Sequence, residues 1–326
     1  TPLVTYLIGA SPSVCKCFMT GREHQLLPLI KGTLYLPYAT ALRMGRFGYQ
    51  NSAQKQLGIH YNNLKDYVAD LQKAVYTPYP PFSRLGLDDA NGEPIQINDH
   101  VLQIENEYYS LVRPKQIPEA RETPSQALAN RGIAYVELRA VDVNPYSDIG
   151  INEDTAAFLE VIALYCLLKD SPDLPESEQD LIDQNQAEVV NRGRAPNAKI
   201  LEPNAEYLLV DWLNLHITAM LPLADLLNQT YTTDIYSNSM QLMKTRIDHV
   251  EKTLSAQVIA DTLKHGGTWS FGSFMALTHV KNYQEHVLSD ELLTYFEQLA
   301  VSSKDKQQQL EQDTTVSFEH YLKQFR

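Results

Sequence analysis

Cysteine is scarce in this chain: three among 326 residues, Cys15, Cys17 and Cys166. An odd count without a repeated spacing is no disulfide framework. Cys15-x-Cys17 lacks the second pair that a structural zinc site needs. All three read as reduced thiols of a cytoplasmic protein. Long apolar runs are missing too. The longest candidate, Phe158 to Leu168, is interrupted by Glu160, and a membrane span needs about 18 uninterrupted apolar residues. Neither a transmembrane helix nor a signal peptide is expected. Positive charge is outweighed: 27 Lys and Arg against 40 Asp and Glu give a net charge of −13. Such a surface repels phosphate backbones and anionic bilayers, which argues against nucleic-acid and membrane partners. It does not forbid ATP, because a local arginine cluster with Mg²⁺ can overcome the global sign. No Gly-x-x-x-x-Gly-Lys-Ser/Thr loop, no Gly-x-Gly-x-x-Gly fingerprint and no Gly-x-Ser-x-Gly elbow occurs, which removes the commonest nucleotide-binding and hydrolase readings. No internal repeat is evident.

What is present is an ordinary globular composition, 44% hydrophobic and 21% charged, long enough for one large or two ordinary domains. The first 150 residues are rich in Pro, Gly and Tyr. The rest reads almost wholly as helix, and the texture changes near Asn144-Pro145. Asn62 or Asn63 caps a helix with Leu64, Tyr67, Val68, Leu71, Ala74 and Val75 on its apolar face. Asn91-Gly92 is a turn signal. Ile95-Gln96-Ile97 and Val101-Leu102-Gln103-Ile104 alternate like strands. Thr123 caps a short helix with Pro124 in its first turn, and Gly132 closes it. Beyond, Asn152 caps a central helix to about Lys169, apolar on most sides. Further helices are expected over 177–192, 204–228 (bent near Pro222), 236–252, 256–264, 271–287, 290–312 and 316–325. Six of the nine His fall in this half, none paired in a metal-ligand context.

The most informative stretch is Tyr135-Val136-Glu137-Leu138-Arg139-Ala140. Side chains on a strand alternate faces, so Glu137 and Arg139 share one, roughly 7 Å apart along it. Val136, Leu138 and Ala140 on the other face can pack into a core. A half-exposed strand carries such a pair on its wet face without consequence. A strand presenting charge inside a fold does not, because buried charge is costly unless it is paired or metal-bound. Three further segments stand out: Tyr35 to Asn51, with Arg43, Arg46, two glycines and three tyrosines; Val101 to Lys115, which alternates and then turns polar and basic; and the Gly9-Ala10-Ser11-Pro12 turn.

Together these segments resemble the proteobacterial type of glutamate–cysteine ligase. The carriers are Gly9-Ala10-Ser11-Pro12, Tyr35-Leu36-Pro37-Tyr38-Ala39-Thr40, Gly48-Tyr49, Leu57-Gly58-Ile59, Val101 to Glu107, Arg113-Pro114-Lys115 and Tyr135 to Arg139 with Asn144-Pro145. The match is specific over 1–151 and looser beyond, and the chain looks like the C-terminal two thirds of such an enzyme. Its opening, Thr1-Pro2 without Met, reads as the middle of a protein. The resemblance implies an α+β fold: a curved antiparallel sheet of glutamine-synthetase-like type flanked by helices, with a mostly helical C-terminal half. Residues 1–151 would be the active-site sheet portion of a catalytic domain and 152–326 its helical portion. It implies ATP-dependent joining of the glutamate γ-carboxylate to the cysteine amine, the first step of glutathione biosynthesis.

By the same resemblance Glu137 is a Mg²⁺ ligand, Arg139 and Arg43 contact the transferred phosphate, and Tyr49 and Tyr109 wall the cysteine pocket. Arg113 and Lys115 are the nucleotide contacts it suggests. Most Mg²⁺-binding carboxylates of the family lie in an N-terminal third that this chain lacks. Alone, the chain is therefore expected to be inactive or nearly so, with the missing N-terminal segment as partner. The competing expectation is a non-catalytic relative that keeps the fold as a binding or regulatory module.

Overall fold

The computed structural model describes residues 1–48, 53–119, 122–312 and 317–323. Helix α1 (Pro2–Ile8) starts with Pro2 in its first turn, and every residue from Leu3 to Ile8 is buried. It ends at Gly9, where a Cβ would stand 2.3 Å from the Thr5 carbonyl oxygen; no other residue fits that approach. Strands β1 (Ser13–Cys15), β2 (Leu27–Ile30) and β3 (Thr33–Tyr35) form an antiparallel sheet of order β1-β3-β2, with Val14 opposite Leu34. A 3₁₀ turn over Lys16–Met19 follows β1. It folds Cys17 back on Cys15, and the two are joined by a disulfide with their Cα atoms 5.4 Å apart. The expectation of three free thiols is thereby corrected: Cys166 is the free, exposed one.

Helix α2 (Leu64–Ala74) is capped by Asn63, whose side chain accepts from the Asp66 N–H. Asn62 instead exchanges two hydrogen bonds with the backbone of Leu174. Tyr67, Val68, Leu71 and Ala74 are buried against Leu102 and Leu128. Helix α3 (Pro80–Leu85) and strand β4 (Val112–Lys115) follow, then helix α4 (Pro124–Arg131), where Thr123 and Gln126 form a capping box. Gly132 (φ 73°) ends α4, and strand β5 (Tyr135–Leu138) pairs antiparallel with β4, placing Arg113 opposite Glu137. The strands expected at 95–97 and 101–104 are not formed. Side chains take the place of a ladder there: the Ile97 N–H donates to Gln103 Oε1 and the Gln103 N–H to Glu107 Oε2, local bonds that compete with sheet pairing.

The second half is helical: α5 (Glu153–Leu168), α6 (Glu176–Arg192), α7 (Leu209–Tyr231), α8 (Ile235–Asp248), α9 (Leu254–Lys264), α10 (Thr268–Glu285), α11 (Asp290–Gln312) and α12 (Phe318–Leu322). The Asn152 side chain accepts from the Thr155 N–H at the start of α5. Between α6 and α7 lies a hairpin that sequence periodicity missed, β6 (Lys199–Glu202) with β7 (Ala205–Leu208), turning at Pro203-Asn204. Tyr6, Leu7 and Ile8 of α1 pack into one core with Phe158 and Val161 of α5, Val189 and Val190 of α6, Leu213, Ile217 and Met220 of α7, and Met240 and Met243 of α8. Ala41, Met44 and Ala140 join the same core, so residues from both halves build it.

The fold is thus mixed helix and small antiparallel sheets. Among the described residues the sheets have three, two and two strands. A second correction concerns β5. Ala140 is buried, but Val136 and Leu138 are 55% and 38% exposed, because β5 has β4 as its partner and neither side chain reaches the core. No described helix is long and apolar enough to cross a membrane.

His216 on α7 is half-buried, with Nδ1 3.0 Å from the Tyr165 hydroxyl. Burial, with Lys169 adding, pushes its pKa below the ordinary value. A depressed histidine favours the folded state while neutral. That contribution is present above the unfolded-state pKa of about 6.5 and is lost as pH falls through the lower, folded-state value. Urea unfolding from pH 7.5 to 5 should show this decline, and His216→Gln should flatten it.

Candidate functional site

The β4–β5 pair gathers the charged residues. Its antiparallel register sets Glu137 directly across from Arg113. The Glu137 carboxylate lies 3.4 Å from Lys115 Nζ and 3.7 Å from Arg139 Nε. Arg113 is 7% exposed; it donates to the Asn106 carbonyl at 3.3 Å and its guanidinium sits 5.8 Å from the Tyr108 ring centre. Burial, with Arg139 nearby, lowers its pKa. The cluster therefore holds three cationic side chains around one carboxylate, an arrangement with an excess of positive charge that favours an anion.

Beside it opens a cleft of about 450 Å³, lined by Gln54, Asn106, Glu107, Tyr108, Tyr109 and Arg139 among others. Tyr109 and Arg139, expected to serve one site, line this one cleft. The carboxylates of the 101–107 segment have structural partners: Glu105 accepts from the Ser125 N–H and hydroxyl in the first turn of α4, and Glu107 accepts from the Gln103 N–H. Tyr108 is held protonated, its pKa raised by burial and by the neighbouring Tyr61.

Arg43 is placed differently. It leaves the short 3₁₀ turn Leu42–Met44, and its Nε donates to Asp142 Oδ1 at 2.8 Å while its guanidinium also donates to the Val141 carbonyl. Asp142 Oδ2 further accepts from the Ala10 N–H at 2.8 Å and the Ser11 hydroxyl at 2.7 Å. This buried carboxylate ties the 9–12 turn, the 42–44 turn and the exit of β5 together. Asp142 was not singled out from sequence; its one local signal is its place three residues after Arg139, and its partners lie 99 to 132 residues away. Asp142→Ala should lower the unfolding free energy by about 2–4 kcal/mol, since it removes the buried acceptor of the Ala10 N–H and the Ser11 hydroxyl together with the carboxylate partner of Arg43; urea denaturation checks this. Arg43 does not line the cleft. Tyr49 lies outside the described residues.

The described residues do not fit a self-sufficient Mg²⁺ site. Among them no three His, Cys, Asp or Glu side chains converge, and Glu137 is a single carboxylate with a lysine and an arginine against it. Mg²⁺ demands near-octahedral oxygen ligation.

Arg139 in the cleft wall, with Arg113 and Lys115 close by on β4, gives this polar cleft the electrostatics of a site for a small anion. Comparison with known proteins narrows this reading. The glutamate-cysteine ligase family model matches residues 1–189. The chain belongs to the glutamate–cysteine ligase family. It is 40% identical over 321 residues to the glutamate–cysteine ligase of Pseudomonas putida, covering 98% of this chain and 61% of that protein. With the Saccharophagus degradans enzyme the identity is 39% over 329 residues, covering 99% and 62%. The crystal structure of the Francisella tularensis glutamate–cysteine ligase in complex with AMP superposes with a TM-score of 0.91 at 32% identity, over 99% of this chain and 64% of that one. A bifunctional glutathione synthetase from Pasteurella multocida shares the fold, with a TM-score of 0.61 at 20% identity over 85% of this chain and 30% of that one. The chain thus spans about three fifths of the length of the curated relatives it matches.

Proposed function

We propose that the chain forms part of a cytoplasmic ATP-dependent ligase that joins the γ-carboxylate of glutamate to the amine of cysteine. The observation that carries this is the joint lining of one cleft by Arg139 and Tyr109, in a chain of this family. In the proposed reaction a γ-carboxylate oxygen attacks the γ-phosphorus of ATP and ADP leaves. The cysteine nitrogen then attacks the acyl carbon, the C–O bond to phosphate breaks, and the nitrogen gives up its proton. Arg139 presents a planar fork to phosphoryl oxygens, where a guanidinium matches two oxygens at once. Arg43 is engaged by Asp142 and lies outside this cleft's lining, so its contact with the phosphate rests on the family resemblance alone. Tyr109 walls the cysteine side chain, because aromatic faces suit a thiol; the same role for Tyr49 rests on the resemblance alone. Arg113 and Lys115 serve the nucleotide indirectly: Arg113 is buried, so it shapes the 106–109 turn and the local potential. The AMP held by the Francisella tularensis relative supports an adenine nucleotide as ligand.

Glu137 contributes one oxygen ligand toward Mg²⁺, in a site whose other ligands come from the part of the family's length that the match does not cover. That part would also extend β4 and β5 into the curved antiparallel sheet of glutamine-synthetase-like type. Two observations support this: a two-stranded sheet is marginal alone, and the Val136 and Leu138 side chains on β5 are exposed. The lone carboxylate also favours a second reading, in which the chain by itself is a non-catalytic binding module.

ADP release with Mg-ATP, glutamate and cysteine separates these, on the chain alone and joined to the uncovered part of a relative. Release only with all three substrates and the joined part is expected. Turnover by the chain alone would overturn the split site, and no release in either form would move the function to the binding module.

A further inference from the structure

Gln54 stands out among the cleft residues because both ends of its amide are engaged. Its Nε2 donates to the Glu107 carbonyl at 2.9 Å, and its Oε1 accepts from the Tyr109 N–H at 2.8 Å. The side chain is 8% exposed and reaches across more than fifty residues of sequence to do this. The two bonds bracket Tyr108 and close the short 3₁₀ turn Glu105–Glu107, much as a paired backbone amide would. Arg113 also holds this turn, donating to the Asn106 carbonyl at 3.3 Å. The backbone of Tyr109 is therefore fixed by Gln54, and with it the position of the aromatic wall. A glutamine is suited to this because it carries one donor and one acceptor at the same reach.

We propose that Gln54 is the positioning residue for the Tyr109 wall and so sets which amine side chains the cleft admits. The inference rests on the ligase reading of the cleft. Gln54 touches no reacting atom; it acts through Tyr109. Its loss loosens the wall, which weakens the fit of a thiol-sized side chain and relaxes the rejection of a longer one. A pocket distinguishes one methylene by roughly 10- to 200-fold when its walls are fixed, so the expected change is a compression of that ratio.

The test uses the joined enzyme, with cysteine, homocysteine and 2-aminobutyrate as amine substrates. In Gln54→Ala the KM for cysteine should rise about tenfold, and the cysteine-to-homocysteine ratio of kcat/KM should fall by about tenfold. The KM values for ATP and glutamate should stay within about twofold. If Gln54→Ala fails to fold, Gln54→Glu decides. It keeps the acceptor for the Tyr109 N–H but faces the Glu107 carbonyl with a carboxylate. Its KM for cysteine relative to wild type at the same pH should therefore improve as pH falls from 8 to 6, where a buried carboxyl takes up a proton and becomes a donor. A purely structural role would not produce that profile. Unchanged cysteine KM and selectivity, equal losses for all three substrates, or a flat profile in Gln54→Glu each overturn the inference while the ligase reading stands. A wild-type enzyme without cysteine-dependent ADP release overturns both.

Discussion

Replacing Arg139 by lysine in the joined enzyme should lower kcat by on the order of 10³-fold, with the KM for cysteine changed by no more than a few-fold. The charge survives this substitution and the fork does not. A lysine ammonium is a compact point charge, whereas a guanidinium offers donors in one plane that match two phosphoryl oxygens together. Arg139 also has a fixed setting to lose. Its Nε lies 3.7 Å from the Glu137 carboxylate, just past the end of β5, and its backbone N–H donates to the Leu111 carbonyl at 2.8 Å. A shorter-reaching, more flexible cation there would not hold the phosphoryl oxygens while negative charge spreads over them. Steady-state ADP release and a single-turnover measurement of phosphoryl transfer check the result. Near-normal turnover in Arg139→Lys would remove Arg139 from the chemistry.

The second large effect concerns stability. Phe158→Ala should lower the unfolding free energy by about 3–5 kcal/mol, a large share of the 5–15 kcal/mol typical of a folded domain. Phe158 is fully buried in the first half of α5. It sits in the core that α1, α6, α7 and α8 share, so the surroundings have little freedom to collapse into the space left. Leu167→Ala nine residues on is the control. Leu167 is 79% exposed, and its truncation should stay within about 0.5 kcal/mol. Urea unfolding of both variants measures the difference, and a loss below about 1 kcal/mol for Phe158→Ala would show that the core is not shared as described.

Local chemistry made much of the fold readable from sequence. The caps Thr123 and Asn152 are set by residues within one turn, and the structure has both helices where those caps place them. The choice between Asn62 and Asn63 was not readable, because Asn62 is claimed by Leu174, 112 residues away. The β6–β7 hairpin was hidden for a similar reason. Its strands have four residues each, too few for a period to show, and they run straight into the apolar face of α7. At 95–104 the period was there but the ladder was not, since Gln103 and Glu107 side chains satisfy the backbone. In the site, alternation anticipated Glu137 and Arg139 as neighbours, and their charged ends lie 3.7 Å apart although Arg139 falls just past the end of β5. It gave no warning that Val136 and Leu138 would be uncovered, because burial depends on what lies opposite. Asp142 and Gln54 act through partners far along the chain, and a single sequence carries no mark of such pairings.

The register between β4 and β5 has a consequence for how this chain tolerates changes in length. Residues 116–134 connect the two strands by way of α4, and lengthening that connection costs little, about 0.6 kcal/mol for each doubling of a flexible loop. An insertion of one residue between Tyr135 and Arg139 is another matter. Ahead of Glu137 it would turn the following side chains to the opposite face, so that Glu137 would exchange places with an apolar neighbour and lose Arg113 and Lys115 as its cross-strand companions. Length variation in relatives should therefore collect in the connection and stop short of the strands.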